Sequence, residues 1–124
     1  MRLMPRRKLK PKAFQAEWSN IQTSCSSRKT WPAAVIGADK LLDKALKLRG
    51  YKGKSTGEKL VAAQHEIKFN EEVWYSHKLS KKLSEESIDV RKLKKKDIIM
   101  ALAGFREALR DLGALEKSSV KPSK

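Results

Sequence analysis

The sequence predicts an all-α domain of about five helices, in which four helices form an up-and-down bundle and an N-terminal helix flanks it. Three observations support this prediction. Ala, Leu, Lys and Glu are abundant, and only 6% of the residues are aromatic, a balance typical of helical proteins. Apolar residues recur at helical spacing in several separate stretches. One of these stretches is apolar over so wide an arc that it must contact several neighbours.

The stretch from Trp31 to Gly50 is expected to form the central helix of this bundle. Pro32 suits the first helical turn, where its missing N–H is not needed, and Gly50 can end the helix in the left-handed conformation. Asp43 and Lys47, on the opposite side, have the spacing of a helical ion pair. The apolar residues fall within an arc of roughly 160°, and they are Trp31, Ala34, Val35, Ala38, Leu41, Leu42, Ala45, Leu46 and Leu48.

An earlier helix is predicted from about Lys12 to Arg28. Its apolar residues are Phe14, Trp18, Ile21 and Cys25. Their spacings of four, three and four residues form a narrow stripe on one side of a helix. Because Cys25 shares this stripe, we expect it to be a small buried hydrophobic residue rather than a reactive thiol. A break is then predicted before the central helix, because four weak helix formers follow one another closely. These residues are Ser24, Ser26, Ser27 and Thr30.

Three glycines between residues 50 and 58 predict a loop after the central helix. Ser55 and Glu58 are expected to form a capping box, in which each side chain accepts the other residue's backbone N–H. A third helix should then run from about Thr56 to Phe69. Its inner face would carry Leu60, Ala63, Gln64 and Ile67, and His65 would lie in solvent.

Asn70 is a good cap for a fourth helix that continues to about Ser84. One strip of this helix combines small hydroxyl residues with a histidine, and Trp74 flanks it. Two interpretations of the strip stay open. It either permits close helix packing or lines a polar groove that contains His77. The residues of this groove, or of a seam between two copies, would be Val73, Trp74, His77, Ser80 and Ser84.

The last helix has the clearest stripe, from Ile98 to Leu112, and Gly113 is expected to cap it. Ala114 and Leu115 could fold back onto the bundle. Before this helix, a connection is expected to be pinned to the core by Ile88, Val90 and Leu93. The predicted organisation is therefore a basic disordered arm at 1–12, a helical bundle at 13–115 and a disordered tail at 116–124.

The net charge of +15, from 29 Lys and Arg against 14 Asp and Glu, is large for 124 residues. It serves either solubility or a polyanionic partner, most often nucleic acid. Several lysines also stand at the start of the last helix, where the helix dipole repels them and a bound anion would relieve the repulsion. The candidate phosphate contacts are Arg6, Arg7, Lys8, Lys81, Lys82, Arg91, Lys92, Lys94, Lys95 and Lys96.

Other classes of site find little support in the residues. A single cysteine excludes an intramolecular disulfide and a cysteine-rich metal site, and no HExxH motif is present. We therefore assign no catalytic residue, no metal and no cofactor. No apolar run approaches the ~18 residues of a membrane span, and no apolar segment follows the basic start as in a signal peptide. The expected location is the cytoplasm.

Four stretches of the chain resemble a group of small bacterial helical-bundle proteins, which are similar in turn to the HEPN (higher eukaryotes and prokaryotes nucleotide-binding) superfamily. The resemblance covers roughly residues 31 to 115. It is carried by WPAAVIGADKLLDKALKLRG, GYKGKSTGEKL, VWYSHKLSKKLSEE and GFREALRDLGAL. It implies a helical bundle that commonly dimerises.

Active members of that superfamily cleave RNA without metal, using an Arg followed four to six residues later by a His. This pair would fall after His77, where the present chain reads SKKLSEE. Ser80 then takes the Arg position and Glu85 takes the His position. Without a cation to hold the scissile phosphate, and with an acid where the proton donor should be, this site would repel RNA. The resemblance therefore supports the fold and a dimer but not nuclease activity.

Three functions are therefore considered. The first is a non-catalytic basic module that binds RNA or DNA through phosphate contacts with little sequence specificity. The second is a structural or interaction protein, either a homodimer or an antitoxin-like partner, with no nucleic-acid role. The third is a degenerate metal-independent RNase, in which His77 alone would be a weak substitute for the missing pair.

Overall fold

A computed structural model describes residues 7–116, and all regular structure in this range is helical. Short 3-10 turns precede α2 and α5, at Ser24–Ser26, Arg28–Thr30 and Val90–Lys92. The five helices in chain order are α1 (Pro11–Thr23), α2 (Trp31–Arg49), α3 (Thr56–Ala62), α4 (Asn70–Ser84) and α5 (Lys95–Asp111). The all-α fold class and the number of helices are confirmed.

Helix α2 lies at the centre of the fold, where α1, α3, α4 and α5 all pack against it. Leu42 and Leu46 are fully buried, and Leu41 is 3% exposed. Leu48 is the exception in the predicted apolar arc, because its side chain is 44% exposed. It lies at one edge of the arc, whereas Ala45 and Leu46 of the same part of the helix are fully buried.

The predicted break before α2 is confirmed by the two 3-10 turns between Thr23 and Trp31. The Trp31 indole N–H links the two sides of this break, because it donates to the Cys25 carbonyl at 3.0 Å. Cys25 itself is half-buried, and burial raises the pKa of its thiol. A raised pKa leaves little thiolate, as expected of a small hydrophobic residue rather than a reactive thiol. Cys25 is nevertheless less buried than predicted.

Helix α3 is shorter than predicted, because it ends at Ala62 rather than near Phe69. The Lys68 N–H donates to Asp111 Oδ2 of α5 at 2.9 Å instead of to a helical carbonyl. Asn70 is the first residue of α4, and not its cap as predicted. Its side-chain amide donates to the Gln64 and Ile67 carbonyls of the preceding turns. The bond to Asp111 is a tertiary contact, and it engages the Lys68 N–H outside the helix that the apolar spacing predicts.

The capping box at α3 is half confirmed. Ser55 Oγ accepts the Glu58 N–H at 3.1 Å as predicted, but Glu58 Oε1 accepts the Lys54 N–H at 2.9 Å rather than that of Ser55. Asp43 likewise bonds a different partner from the predicted Lys47. Its Oδ1 accepts from Thr56 and Lys59 at 2.9 and 2.8 Å. Asp43 therefore fixes α3 to α2 instead of bonding within α2.

Helices α4 and α5 are antiparallel and unusually close. Ser76 Oγ lies 2.6 Å from the Ala101 carbonyl of α5 and 3.0 Å from the Glu72 carbonyl of its own helix. A Cβ at Gly104 would lie 2.2 Å from Ser76 Oγ and 2.7 Å from the Glu72 carbonyl oxygen. Gly104 is therefore required for this approach. Beyond α5, Gly113 has a φ of +84°, and Ala114 and Leu115 return to the core as predicted.

Candidate nucleic-acid interface

A group of exposed lysines lies in the connection before α5 and in the first turn of that helix, and it is here called the lysine cluster: Lys92, Lys94, Lys95 and Lys96. All 14 Asp and Glu residues of the chain lie between residues 7 and 116. None of them forms an ion pair with a lysine of the cluster. The nearby Arg91 does pair, with Asp89 at 3.2 Å. The four lysines of the cluster therefore have no ion-pair partner among the described residues.

The backbone beneath the lysine cluster is held in place. Leu93 is 3% exposed, and its carbonyl accepts from Arg28 Nη1 at 2.8 Å. Asp97 Oδ2 accepts the Lys94 N–H at 2.9 Å in the first turn of α5. This carboxylate offsets part of the repulsion between the lysines and the positive end of the helix dipole. Because Asp97 lies in this turn, the lysines do not require a bound anion to relieve the repulsion entirely.

The structure separates the two basic groups that the sequence offered as phosphate contacts. Lys81 and Lys82 are exposed in the last turn of α4, beside the lysine cluster. Arg7 and Lys8 are also exposed, but the Arg7 carbonyl accepts from Arg49 Nη1 at the C-terminal end of α2. Arg6 lies outside the described residues.

The two groups lie at opposite ends of the bundle. Arg49 pairs with Glu66, and two residues later the Lys68 N–H bonds Asp111 at the C-terminal end of α5. Lys95 begins the same helix, about 24 Å away at the rise of an α-helix. The lysine cluster with Lys81, Lys82 and Arg91 is thus one surface, and Arg7 and Lys8 belong to another.

The strip that contains His77 is packed within its own chain. His77 Nδ1 lies 3.0 Å from Asp39 Oδ2 of α2, and its ring meets the Trp74 ring edge-on at 5.8 Å between centroids. Val73 and Ser80 are 0% and 2% exposed, and of the five strip residues only Ser84 is exposed. Val73 and Ser80 are covered by neighbouring helices, so they are not available to line an open groove or a seam between copies.

A buried polar network that the sequence analysis did not find lies at the far end of α2. Tyr51, 2% exposed, donates its hydroxyl to Glu66 Oε1 at 2.6 Å, and the Arg49 guanidinium bonds the same carboxylate. Burial raises the pKa of Glu66, but the hydrogen bonds from Arg49 and Tyr51 outweigh it and hold the pKa below its usual value. A tyrosine within a glycine-rich loop was the only sequence signal for this network.

This depressed pKa predicts a pH dependence of stability. A carboxylate with a lowered folded-state pKa stabilises the fold above its unfolded pKa of about 4.3, and the stabilisation is lost as pH falls further. The Glu66→Gln variant is therefore expected to be less stable than the parent at pH 7, and the difference should shrink toward pH 3. Urea unfolding across this range measures it, and a difference that stays constant with pH would contradict the assignment.

Comparison of the chain with protein-family models, with curated proteins and with solved structures found no match. The resemblance to the HEPN superfamily stays a prediction. Between residues 7 and 116, no three His, Cys, Asp or Glu side chains are grouped so that they could hold a metal ion. No helix in the same range has the length and hydropathy that crossing a membrane requires.

Proposed function

We propose that this protein is a non-catalytic module that binds nucleic acid by its phosphates through the lysine cluster, with Lys81, Lys82 and Arg91 beside it. The observation that supports this proposal most is that four neighbouring lysines at the start of α5 are exposed and have no ion-pair partner among the described residues. The backbone that carries them is fixed by the buried Leu93 side chain and by the bond from Arg28 to the Leu93 carbonyl. Contacts of this kind fix the position of a duplex or strand without reading its bases.

The distribution of acids supports the same proposal. Many carboxylates of the chain are engaged within the protein, as Asp39 is with His77, Asp43 with Lys59 and Glu66 with Arg49. The excess positive charge is therefore carried by exposed lysines that lack such partners. A polyanion that contacts several of them releases the counterions condensed on its phosphates, and this release drives binding at low salt.

The test is the salt dependence of binding, measured by fluorescence polarisation with a labelled single-stranded RNA between about 50 and 200 mM salt. The variant Lys94→Gln/Lys95→Gln/Lys96→Gln should bind more weakly, and the slope of log K against log salt should fall by about 2, from ~0.7 per lost phosphate contact. The matched control is the variant Lys52→Gln/Lys54→Gln/Lys68→Gln, which removes the same charge at the other end of the bundle. Its slope should stay near that of the parent protein.

Two results would overturn the proposal. One is the absence of binding by the parent protein at the lowest salt. The other is an equal loss in the cluster variant and in its control, because this would mean that net charge alone attracts the strand. A parallel titration with duplex DNA identifies the preferred nucleic acid by the dissociation constants at equal salt. The number of phosphate contacts then follows from the slope, which is about 0.9 per phosphate for a duplex.

A further inference from the structure

The outer side of α5 carries the two most exposed large hydrophobic residues of the described chain. Ile99 and Met100 are 57% and 55% exposed, and they are consecutive in the first half of the helix. Met100 lines a groove of about 480 Å³ toward α4, and Ile99 lines a groove of about 280 Å³ toward α1. Ala103 lines both grooves. Ile99, Met100 and Ala103 therefore form one ridge between the grooves, here called the α5 ridge.

The apolar surface continues to both sides of the α5 ridge. Phe69 and Tyr75 line the larger groove, with 48% and 38% of their surface exposed. Leu102 and Trp18 line the smaller one. Four of the six exposed large hydrophobic residues in the described range thus share one side of the molecule. Apolar residues exposed singly are ordinary, whereas a contiguous patch of them marks a surface that contacts another body.

Basic side chains surround the N-terminal half of the α5 ridge. Lys95 precedes Ile99 by four residues and Lys96 precedes Met100 by four, so each lysine lies one turn earlier on the same side of the helix. Between residues 78 and 100 the chain carries eight basic side chains against four acidic ones. All eight basic side chains are exposed. The apolar ridge is therefore bordered by positive charge where α5 begins.

Two of the acids close to the α5 ridge are compensated within the protein. Glu107 of α5 pairs with Arg106 at 3.3 Å and with Arg110 at 2.7 Å. Asp89, in the connection before α5, pairs with Arg91 at 3.2 Å. Glu107 with its two arginines leaves one net positive charge beside the C-terminal half of the ridge.

The remaining acids near the α5 ridge have no ion pair among the described residues, and they are Glu71, Glu72, Glu85, Glu86 and Asp97. Asp97 accepts the Lys94 N–H in the first turn of α5. The Glu72 carbonyl lies beside Gly104, about 13 Å along α5 from Lys95 at the rise of an α-helix. The surface is thus basic at the start of α5, and its acidic end lies at the far side of the larger groove.

We propose that the α5 ridge binds the surface of a bilayer that contains anionic lipids. An apolar strip bordered by lysines matches the boundary between headgroups and acyl chains, where Ile99 and Met100 enter the apolar layer and the lysines contact anionic headgroups. Tyr75 suits the same depth, because its ring is apolar and its hydroxyl is polar. No described helix can cross a bilayer, so the contact is with one leaflet.

The charge gradient sets the orientation on the bilayer. Anionic headgroups attract the lysines at the start of α5 and repel Glu71 and Glu72 at the other end of the larger groove. Helix α5 is therefore inclined, with its N-terminal half closer to the acyl chains than its C-terminal half. The apolar residues that enter first in this orientation are Ile99 and Met100.

Lipid binding by the α5 ridge is separate from the proposed nucleic-acid binding and does not rest on it. A phosphate backbone contacts lysines but gains nothing from Ile99 and Met100, which have no aromatic ring on which a base could stack. Lys95 and Lys96 serve both ligands, so RNA and anionic vesicles should compete for the protein. The apolar pair distinguishes the two kinds of binding.

Co-sedimentation of the full chain with vesicles tests the proposal. The parent protein should bind vesicles of phosphatidylcholine with about 30% phosphatidylglycerol, and it should not bind phosphatidylcholine alone. Ile99→Gln/Met100→Gln should weaken partitioning onto the anionic vesicles at least tenfold, roughly the loss of two apolar anchors. Lys95→Gln/Lys96→Gln should weaken it roughly thirtyfold at low salt.

The variant Leu48→Gln/Val61→Gln is the matched control. Leu48 and Val61 are 44% and 54% exposed, and neither lines a groove beside α5. This control should partition as the parent protein does, and circular dichroism should show the same helix content in all variants. Ile99→Gln/Met100→Gln should also keep an RNA dissociation constant within about twofold of the parent value, because its lysines are intact.

Four results would overturn the proposal. They are a parent protein that does not bind anionic vesicles at low salt, partitioning that is unchanged in Ile99→Gln/Met100→Gln, an equal loss in the control, and a loss of RNA binding in Ile99→Gln/Met100→Gln. A parent protein that binds the anionic vesicles but not RNA supports lipid binding and overturns the proposed nucleic-acid function alone.

Discussion

Replacing Gly104 by alanine is expected to lower the free energy of unfolding by about 3 kcal/mol, the upper part of the range for overpacking a core. The added Cβ would lie 2.2 Å from Ser76 Oγ and 2.7 Å from the carbonyl oxygen of Glu72. A serine side chain can rotate, but the Glu72 carbonyl belongs to the α4 backbone. Helices α4 and α5 must therefore move apart, which weakens the packing of Phe105 and Ala101 as well. Urea unfolding of Gly104→Ala measures the loss.

Gly37 provides the matched control for this prediction. It also lies within a helix, but a Cβ there would meet only Ile21 Cγ1 at an ordinary 3.7 Å. Gly37→Ala should raise stability by up to about 1 kcal/mol, because alanine is the better helix former. The double variant Ser76→Ala/Gly104→Ala should recover part of the loss by removing the closer contact. If Gly104→Ala were as stable as Gly37→Ala, the close approach of α4 and α5 would be wrong.

Replacing Leu42 by alanine is expected to cost about 3 kcal/mol, within the range for a buried leucine that leaves a cavity. Leu42 is fully buried at the centre of α2, where the neighbouring helices cannot collapse around the missing atoms without disturbing one another. Leu48→Ala, in the same helix, should cost less than about 1 kcal/mol, because Leu48 is 44% exposed. Thermal unfolding of both variants tests whether α2 lies at the centre of the bundle.

The comparison of these two leucines distinguishes the observed packing from the predicted one. The sequence places both residues on one apolar arc, whereas the structure covers Leu42 and leaves Leu48 in water. Equal losses in the two variants would mean that the whole arc is enclosed, as the sequence alone suggests. A small loss in Leu42→Ala would contradict the position of α2 at the centre of the bundle.

Much of the fold follows from local patterns, which explains why the sequence predicts it well. Helices α2 and α5 have broad apolar faces at helical spacing, and Pro32 and Gly50 mark the bounds of α2. The end of α3 could not be predicted in this way. The segment that follows Ala62 is bound instead by Asp111 of α5, which accepts the Lys68 N–H. A contact between residues so far apart in the chain leaves no periodic signal.

The candidate site could likewise be predicted from the sequence only in part. That Lys92, Lys94, Lys95 and Lys96 are exposed follows from their charge, and the structure agrees. Their separation from Arg7 and Lys8 depends on how the helices are arranged, which charge counting does not reveal. His77 could not be assigned either, because its partner Asp39 lies on another helix. The tight contact between Ser76 and Gly104 was missed for the same reason.

The central claim, that the lysine cluster is the surface that binds phosphate, is tested most directly by amide chemical shifts. The ¹⁵N-labelled protein would be titrated at low salt with the single-stranded RNA used for polarisation. The largest shift changes should fall on residues 81–82 and 91–97, with little change at Lys52, Lys54 and Lys68. Changes concentrated at the opposite end of the bundle, or no changes at all, would contradict the account.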